Sequence, residues 1–183
     1  MAKYKIAWLP GDGIGVDVLE AAKIVLDKVQ LDAEYLPGDI GWEFWCREGN
    51  PLPERTIDLV QRHKIALFGA ITSKPIDEAR TELDKGLQDK GFVYSSPIVG
   101  LRQHFNLEIC VRPCRSYKGN PLNFIRRGAG DKIEEPLIDV IIFRQNTEGL
   151  YSGVEWTNPP EVVHKALMTH PRFMQNYSGV PAA

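Results

Sequence analysis

Residues 4–10, YKIAWLP, form a short apolar run closed by Pro10, and GDGIG follows at once. Past that turn the period changes: Val18, Leu19, Ala22, Ile24, Val25 and Val29 fall on one broad face of a helix. A strand, a glycine turn and an amphipathic helix in immediate succession restrict what the chain can become. AEYLPGD reads as a second strand, WEFWCREGNPLP as an irregular aromatic stretch, residues from about Glu54 to Arg62 as a helix, and KIALFGAI as a third strand. Strands that alternate with helices pack as an α/β layer with parallel strands.

Residues 75–94, PIDEARTELDKGLQDKGFVY, are polar and short of apolar periodicity, so an exposed insertion with one helical turn is expected there. SSPIVGLRQHFNL predicts a helix with Pro97 in its first turn, where proline is tolerated. EICVRPCRSY predicts a strand ended by Pro113, and RRGAGDKIEEP a loop. PLIDVIIFR carries the strongest strand signal and, being nearly all apolar, is expected to be covered on both faces. After Trp156 the pattern weakens to one short helix in TNPPEVVHKAL, and MTHPRFMQNYSGVPAA carries no clear signal. QNYSGVPAA reads as neither helix cap nor strand, which sets up the expectation of a piece of a longer protein. There is no internal repeat and no low-complexity tract.

With 22 Lys and Arg against 24 Asp and Glu, the formal charge is −2. Bulk electrostatics therefore suggest neither nucleic acid nor an acidic membrane surface, and any anion binding must be local. No apolar run approaches the ~20 residues that span a bilayer. Cys46, Cys110 and Cys114 make an odd count and read as free thiols in a reducing compartment; CVRPC lacks the second Cys/His pair of a metal site. MAKYKIAWLPGDG leaves no room for a targeting peptide, and a cytoplasmic location is expected.

GDGIG invites comparison with a dinucleotide-binding fingerprint. That fingerprint needs a third glycine where this chain has Val16, and an acid at the end of the second strand, whereas Glu34 stands near its start. A tight turn that lets strand and helix pack closely is the better reading, with Asp12 available to cap the helix.

Arg102, Arg112, Arg144 and Tyr151 fall on one helix and at strand ends. Guanidinium groups bind carboxylates in bidentate fashion, and three converging would suit a di- or tricarboxylic acid; each alone also reads as a solvated or salt-bridged surface residue. Context favours the first reading for two of them. Arg112 precedes a proline, and Arg144 ends the apolar strand, where open α/β sheets place ligands. Tyr151 reads equally as a core phenol or as an acid tuned by neighbouring cations.

LPGDGIGVDV (9–18), LFGAITSKP (67–75), SSPIVGLRQHFNLEICVRPCRSYKG (95–119) and FRQNTEGLYSGVEW (143–156) together resemble the isocitrate and isopropylmalate dehydrogenases, which are metal-dependent, β-decarboxylating enzymes. The last two stretches are specific; the glycine turn only supports them. The resemblance implies an α/β, isopropylmalate dehydrogenase-like three-layer fold rather than a Rossmann fold. Residues 1–107 would begin its large domain, 108–150 would begin its small domain, and 151–183 would begin a dimerisation arm. It implies that Ser96, Arg102, Arg112 and Arg144 hold the carboxylates of a small hydroxy acid, with Ser96 meeting the arm that varies between substrates. It also implies that Tyr151 is the catalytic proton donor and that Thr72 lies in the loop near the nicotinamide of NAD or NADP, with NAD placed first.

Ile98 in SPIVGLR departs from bacterial isocitrate enzymes and is closer to archaeal-type members acting on isocitrate, homoisocitrate or isopropylmalate. Isopropylmalate enzymes usually carry bulky apolar residues at Ser96, so a polar substrate arm is expected, with isocitrate first and tartrate last. The family's catalytic lysine, its Mg2+ or Mn2+ aspartates and its adenine loop have no match within these residues. The isolated chain is therefore expected to be inactive, and the whole protein to be a homodimeric enzyme. A non-catalytic regulatory subunit and a truncated binding piece are the alternatives; retention of Tyr151 and all three arginines weighs against the first.

Overall fold

Strand β1 (Tyr4–Gly11) is central because both of its edges are taken: β2 (Ala33–Pro37) and β3 (Ala66–Ala70) pair with it in parallel, in the order β2-β1-β3. The computed structural model describes residues 2–152, 156 and 158–177. The parallel layer expected of the first seventy residues is present. Ala7 and Leu9 of β1 are fully buried and join Ile40, Leu52, Ile57 and Leu101 in one core.

Helix α1 (Ile14–Lys28) starts almost on top of the sheet. A Cβ on Gly15 would lie 2.3 Å from the Pro10 carbonyl oxygen, and one on Gly69 would lie 2.4 Å from the Gly15 carbonyl oxygen. Only glycines facing each other let helix and strand approach so closely. The turn therefore serves packing, as expected. The expected apolar face of α1 is a different matter: Leu19 is buried, but Val18, Ile24, Val25 and Val29 are half or more exposed. The helix is held by its first turn and by Leu19, not by the whole stripe.

WEFWCREGNPLP is not irregular. Trp42–Glu48 form helix α2, ended by Gly49 in the left-handed conformation, and α3 (Glu54–His63) follows with Thr56 and Ile57 buried. Residues 75–94 also depart from expectation. Helix α4 (Ile76–Thr81) and the loop after it place Ala79, Leu83 and Tyr94 around the fully buried Trp45, with Trp42, Cys46, Leu87 and Phe92 against them. The Trp45 indole N–H donates to the Ala79 carbonyl at 2.7 Å, so its polar edge is satisfied in the core. An insertion expected to be exposed is thus half of a second core.

Helix α5 (Pro97–His104) begins with its proline in the first turn, as expected. Beyond it, β4 (Ile109–Arg115) pairs antiparallel with a later strand, Asp139–Gln145, and RRGAGDKIEEP folds back as a small hairpin. Numbered along the chain, the hairpin strands are β5 (Arg126–Arg127) and β6 (Ile133–Glu134), and Asp139–Gln145 is β7. Burial of β7 on both faces is not what the structure shows. Val140, Ile141, Ile142 and Phe143 are half or more exposed, because among the described residues β7 is hydrogen-bonded to β4 alone and a two-stranded ribbon covers neither face.

The chain divides into two compact units, Met1–Thr147 and Glu148–Ala183. The second contains a 3₁₀ turn at Gly149–Ser152, helix α6 (Glu161–Leu167) and helix α7 (Pro171–Tyr177). Helix α6 was expected; α7 occupies a stretch without a clear sequence signal. Within QNYSGVPAA, residues 178–183 lie outside the described residues, as do 153–155 of the FRQNTEGLYSGVEW motif. No helix among the described residues is long and apolar enough to cross a membrane.

Truncating Trp45 to Ala removes the centre of the second core and should cost about 3–5 kcal/mol of unfolding free energy in urea. The same change at Leu122, 89% exposed, should stay within about 0.5 kcal/mol. A Trp45→Ala loss below about 1 kcal/mol would sink the assignment of residues 75–94 to the core.

Candidate functional site

The loops that follow β1, β2 and β3 meet at one side chain. Asp12, half-buried just beyond β1, receives the Trp42 backbone N–H on one carboxylate oxygen at 2.6 Å. Its other oxygen receives the Thr72 backbone N–H at 2.7 Å together with the Thr72 hydroxyl. Asp12 therefore does not cap α1: Gly13 occupies that position, with no side-chain capping bond. The carboxylate instead fastens the loop carrying Thr72 to the turn leading into α2. The Thr72 carbonyl is held from the other side by the Tyr94 hydroxyl at 3.1 Å. Burial raises the Tyr94 phenol pKa, which keeps its donor proton in place.

Glu34, at the distance a ribose-binding acid would have, lies at the opposite end of the strands. It pairs with Lys5 across the β1–β2 ladder at 3.6 Å. That is an exposed surface pair, and it removes the last support for a dinucleotide fingerprint.

Tyr94 leads into Ser96, which precedes α5 and makes no side-chain capping bond. Arg102, half-buried on α5, gives its carbonyl to the Leu107 N–H at 2.8 Å, and the chain turns there towards β4. The ladder then places Cys110 opposite Arg144 and Arg112 opposite Ile142. Cross-strand partners share a face and residues two apart along a strand share a face, so Arg112, Cys110 and Arg144 all project from one side of the ribbon. The structure thus brings Arg112 and Arg144 together; Thr72, Ser96 and Arg102 stand on the sheet and helix portion of the same unit.

Two further contacts shape this face. The Arg112 Nε–H donates to the Cys110 sulfur at 3.3 Å. This bond, with the charges of Arg112 and Arg144 behind it, holds the Cys110 pKa below the usual thiol value against a weaker effect of burial. The buried Asn146 accepts from the Arg144 guanidinium at 3.1 Å and donates to the Leu107 carbonyl at 3.2 Å. One side chain therefore fixes Arg144 relative to the end of α5.

Tyr151 lies in the second unit, half-buried in the 3₁₀ turn, where its backbone N–H donates to the Glu148 carbonyl at 3.3 Å. Among the described residues no three His, Cys, Asp or Glu side chains gather as a cation would require. An open groove of about 600 Å³ lined by Val60, Lys64, Ala66, Phe105 and Leu107 contains none of the expected site residues.

The sequence profile described as isocitrate/isopropylmalate dehydrogenase matches residues 5–172. The chain belongs to the isocitrate/isopropylmalate dehydrogenase family. Protein DlpA of Legionella pneumophila is 39% identical over 180 residues, a match covering 97% of this chain and 26% of that protein. The 3-isopropylmalate dehydrogenase of Methanothermobacter thermautotrophicus is 35% identical over 169 residues, covering 92% of this chain and 42% of the enzyme. Among solved structures, isocitrate dehydrogenase from Methylococcus capsulatus superposes with a TM-score of 0.60 at 30% identity, covering 82% of this chain and 37% of that one. The chain therefore spans well under half the length of these relatives. Its fold is the α/β fold of the isocitrate/isopropylmalate dehydrogenases.

Asp12, Tyr94, Cys110 and Asn146 were not singled out as site residues in the sequence. Asn146 had a legible signal, a polar residue directly after the apolar run that ends at Arg144. Asp12 had none, since an acid ahead of a helix reads first as a cap.

The electrostatics of the ribbon predict an order of thiol reactivity. A lowered pKa means that the thiolate persists to lower pH, so Cys110 should be alkylated by iodoacetamide at lower pH than Cys46, whose pKa burial raises. Arg112→Ala should move the Cys110 profile upward. Peptide mass spectrometry across pH reads both, and a Cys110 midpoint at or above that of Cys46 would refute the ordering.

Proposed function

We propose that this chain supplies the hydroxy-acid grip and the proton donor of a β-decarboxylating dehydrogenase, with isocitrate as the first candidate substrate. The observation that carries this reading is the placement of Arg112 and Arg144 on one face of the β4–β7 ribbon, with Arg144 braced by Asn146. Two guanidiniums held on one surface suit two carboxylates of one acid, and fixing them beforehand reduces the entropy lost on binding. Arg102 joins them in this reading as the third cation. Ser96, whose hydroxyl is not used as a cap, meets the polar arm that separates isocitrate from isopropylmalate.

In the proposed reaction the alcohol carbon of the acid is oxidised to a ketone, the carboxylate on the adjacent carbon leaves as CO2 with its bonding electrons forming an enolate, and Tyr151 delivers a proton to the carbon that lost CO2. The nicotinamide of NAD or NADP, when bound near Thr72, supplies the hydride acceptor. Mg2+ or Mn2+ belongs to the family chemistry, but the described residues do not form a fitting ligand set for it. Homoisocitrate, 3-isopropylmalate and tartrate follow isocitrate as candidates. A homodimer in the cytoplasm is part of the same proposal, and these 183 residues alone are expected to bind the acid without turning it over.

Calorimetric titration with the four acids tests the grip. Isocitrate should bind the chain, and Arg144→Ala should weaken that binding by at least about tenfold, the loss of one charge-assisted pair. In the full-length polypeptide encoded by the gene, Tyr151→Phe should leave binding within about twofold while turnover falls by about 10²-fold or more. Equal affinity for isopropylmalate and isocitrate would sink the role of Ser96. Binding without turnover in the full-length polypeptide would favour a regulatory subunit.

A further inference from the structure

Every polar group of Thr72 is engaged within the protein. Its N–H and its hydroxyl go to one oxygen of Asp12, and its carbonyl receives the Tyr94 hydroxyl. The direction of the hydroxyl bond follows from chemistry. Three donors, the Thr72 N–H, the Thr72 O–H and the Trp42 N–H, converge on the two oxygens of Asp12, a pattern that a carboxylate, being an acceptor only, satisfies. Thr72 must therefore give its single hydroxyl hydrogen to Asp12. What remains on that oxygen is lone pairs, and any ligand group that meets it has to be a donor.

We propose that Asp12 is a positioning residue that fixes Thr72 as a hydrogen-bond acceptor and thereby selects a cofactor end carrying an N–H, the primary amide of the nicotinamide. This rests on the dehydrogenase reading above and deepens it. Gly41 belongs to the same device: its φ is +113°, and a Cβ there would stand 2.6 Å from the Asp12 carboxylate oxygen. The turn into α2 is thus shaped to admit the carboxylate. Tyr94, arriving from the 75–94 segment, prevents the Thr72 peptide from turning over.

The test compares the dissociation constants of the oxidised cofactor and of its 3-acetylpyridine analogue, in which a methyl replaces the amide –NH2. It is made on the full-length polypeptide by Trp fluorescence, so that the readout is binding and does not depend on redox driving force. The natural cofactor should bind about tenfold more tightly than the analogue, the worth of one hydrogen bond. Thr72→Ser should keep that ratio. Thr72→Val and Asp12→Ala should bring it near one by weakening the natural cofactor, with the analogue changed less than about twofold.

Asp12→Asn separates polarity from stability. Its amide can turn its oxygen to Thr72 and leave its –NH2 against the Trp42 N–H, so the ratio should persist while the melting temperature falls. A ratio unaltered in Thr72→Val, or both ligands weakened equally in Asp12→Ala, overturns the proposal. Absence of saturable binding by either compound overturns the dehydrogenase reading itself.

Discussion

The Asp12 carboxylate is the point on which the arrangement of the sheet's carboxyl end depends. Parallel strands bring their loops to one end without specifying how those loops lie. Here one oxygen takes the turn into α2 and the other takes the Thr72 loop, while the Asp12 N–H donates to the Ala70 carbonyl at 3.0 Å. Hydrogen bonds to a charged acceptor are each worth roughly 1.5–3 kcal/mol, more than neutral ones. Side-chain charge thus does at this end of the sheet what the ladders do within it.

The same carboxylate explains why the glycine turn misleads. GDGIG has the look of a phosphate loop, yet two of its glycines, Gly11 and Gly15, are required by backbone atoms within the protein. Gly15 faces Gly69, with room for neither to carry a side chain. The aspartate between the glycines is turned to Trp42 and Thr72 rather than to a ligand. A local motif records a need for close approach but not what approaches.

Elements with a strong local signal were legible: the β1–α1 opening with its glycine turn, α5 with Pro97 in its first turn, and the β4 strand. Residues 75–94 were misread because their contacts are long-range. Ala79, Leu83 and Leu87 recur every fourth residue, a helical spacing, but dense charge around them hid it until Trp45 supplied something to cover. The β7 run erred in the other direction. Continuous apolar sequence was read as burial on both faces, but burial depends on neighbouring layers, and Phe143 is 67% exposed in this chain. For the site, residue types at strand ends singled out the arginines, while no sequence pattern pointed to Asp12, whose partners are 30 and 60 positions away.

Helix α5 is where the two halves of the proposed chemistry are joined. Its entry is tied to the Thr72 loop, because Tyr94, just ahead of Ser96, holds the Thr72 carbonyl. Its exit is tied to the β4–β7 ribbon, because the Leu107 carbonyl is held by Asn146, which also takes Arg144. Leu101 anchors the middle of the helix in the first core beside Ala7 and Leu9. A rigid rod fixed at both ends and in the middle transmits geometry, so the separation of the Thr72 loop and the β4–β7 ribbon is set by the length of this helix. The sequence from Ser95 to Leu107 is therefore constrained as a unit: an inserted residue would rotate Arg102 by about 100° on the helix and displace one tie or the other.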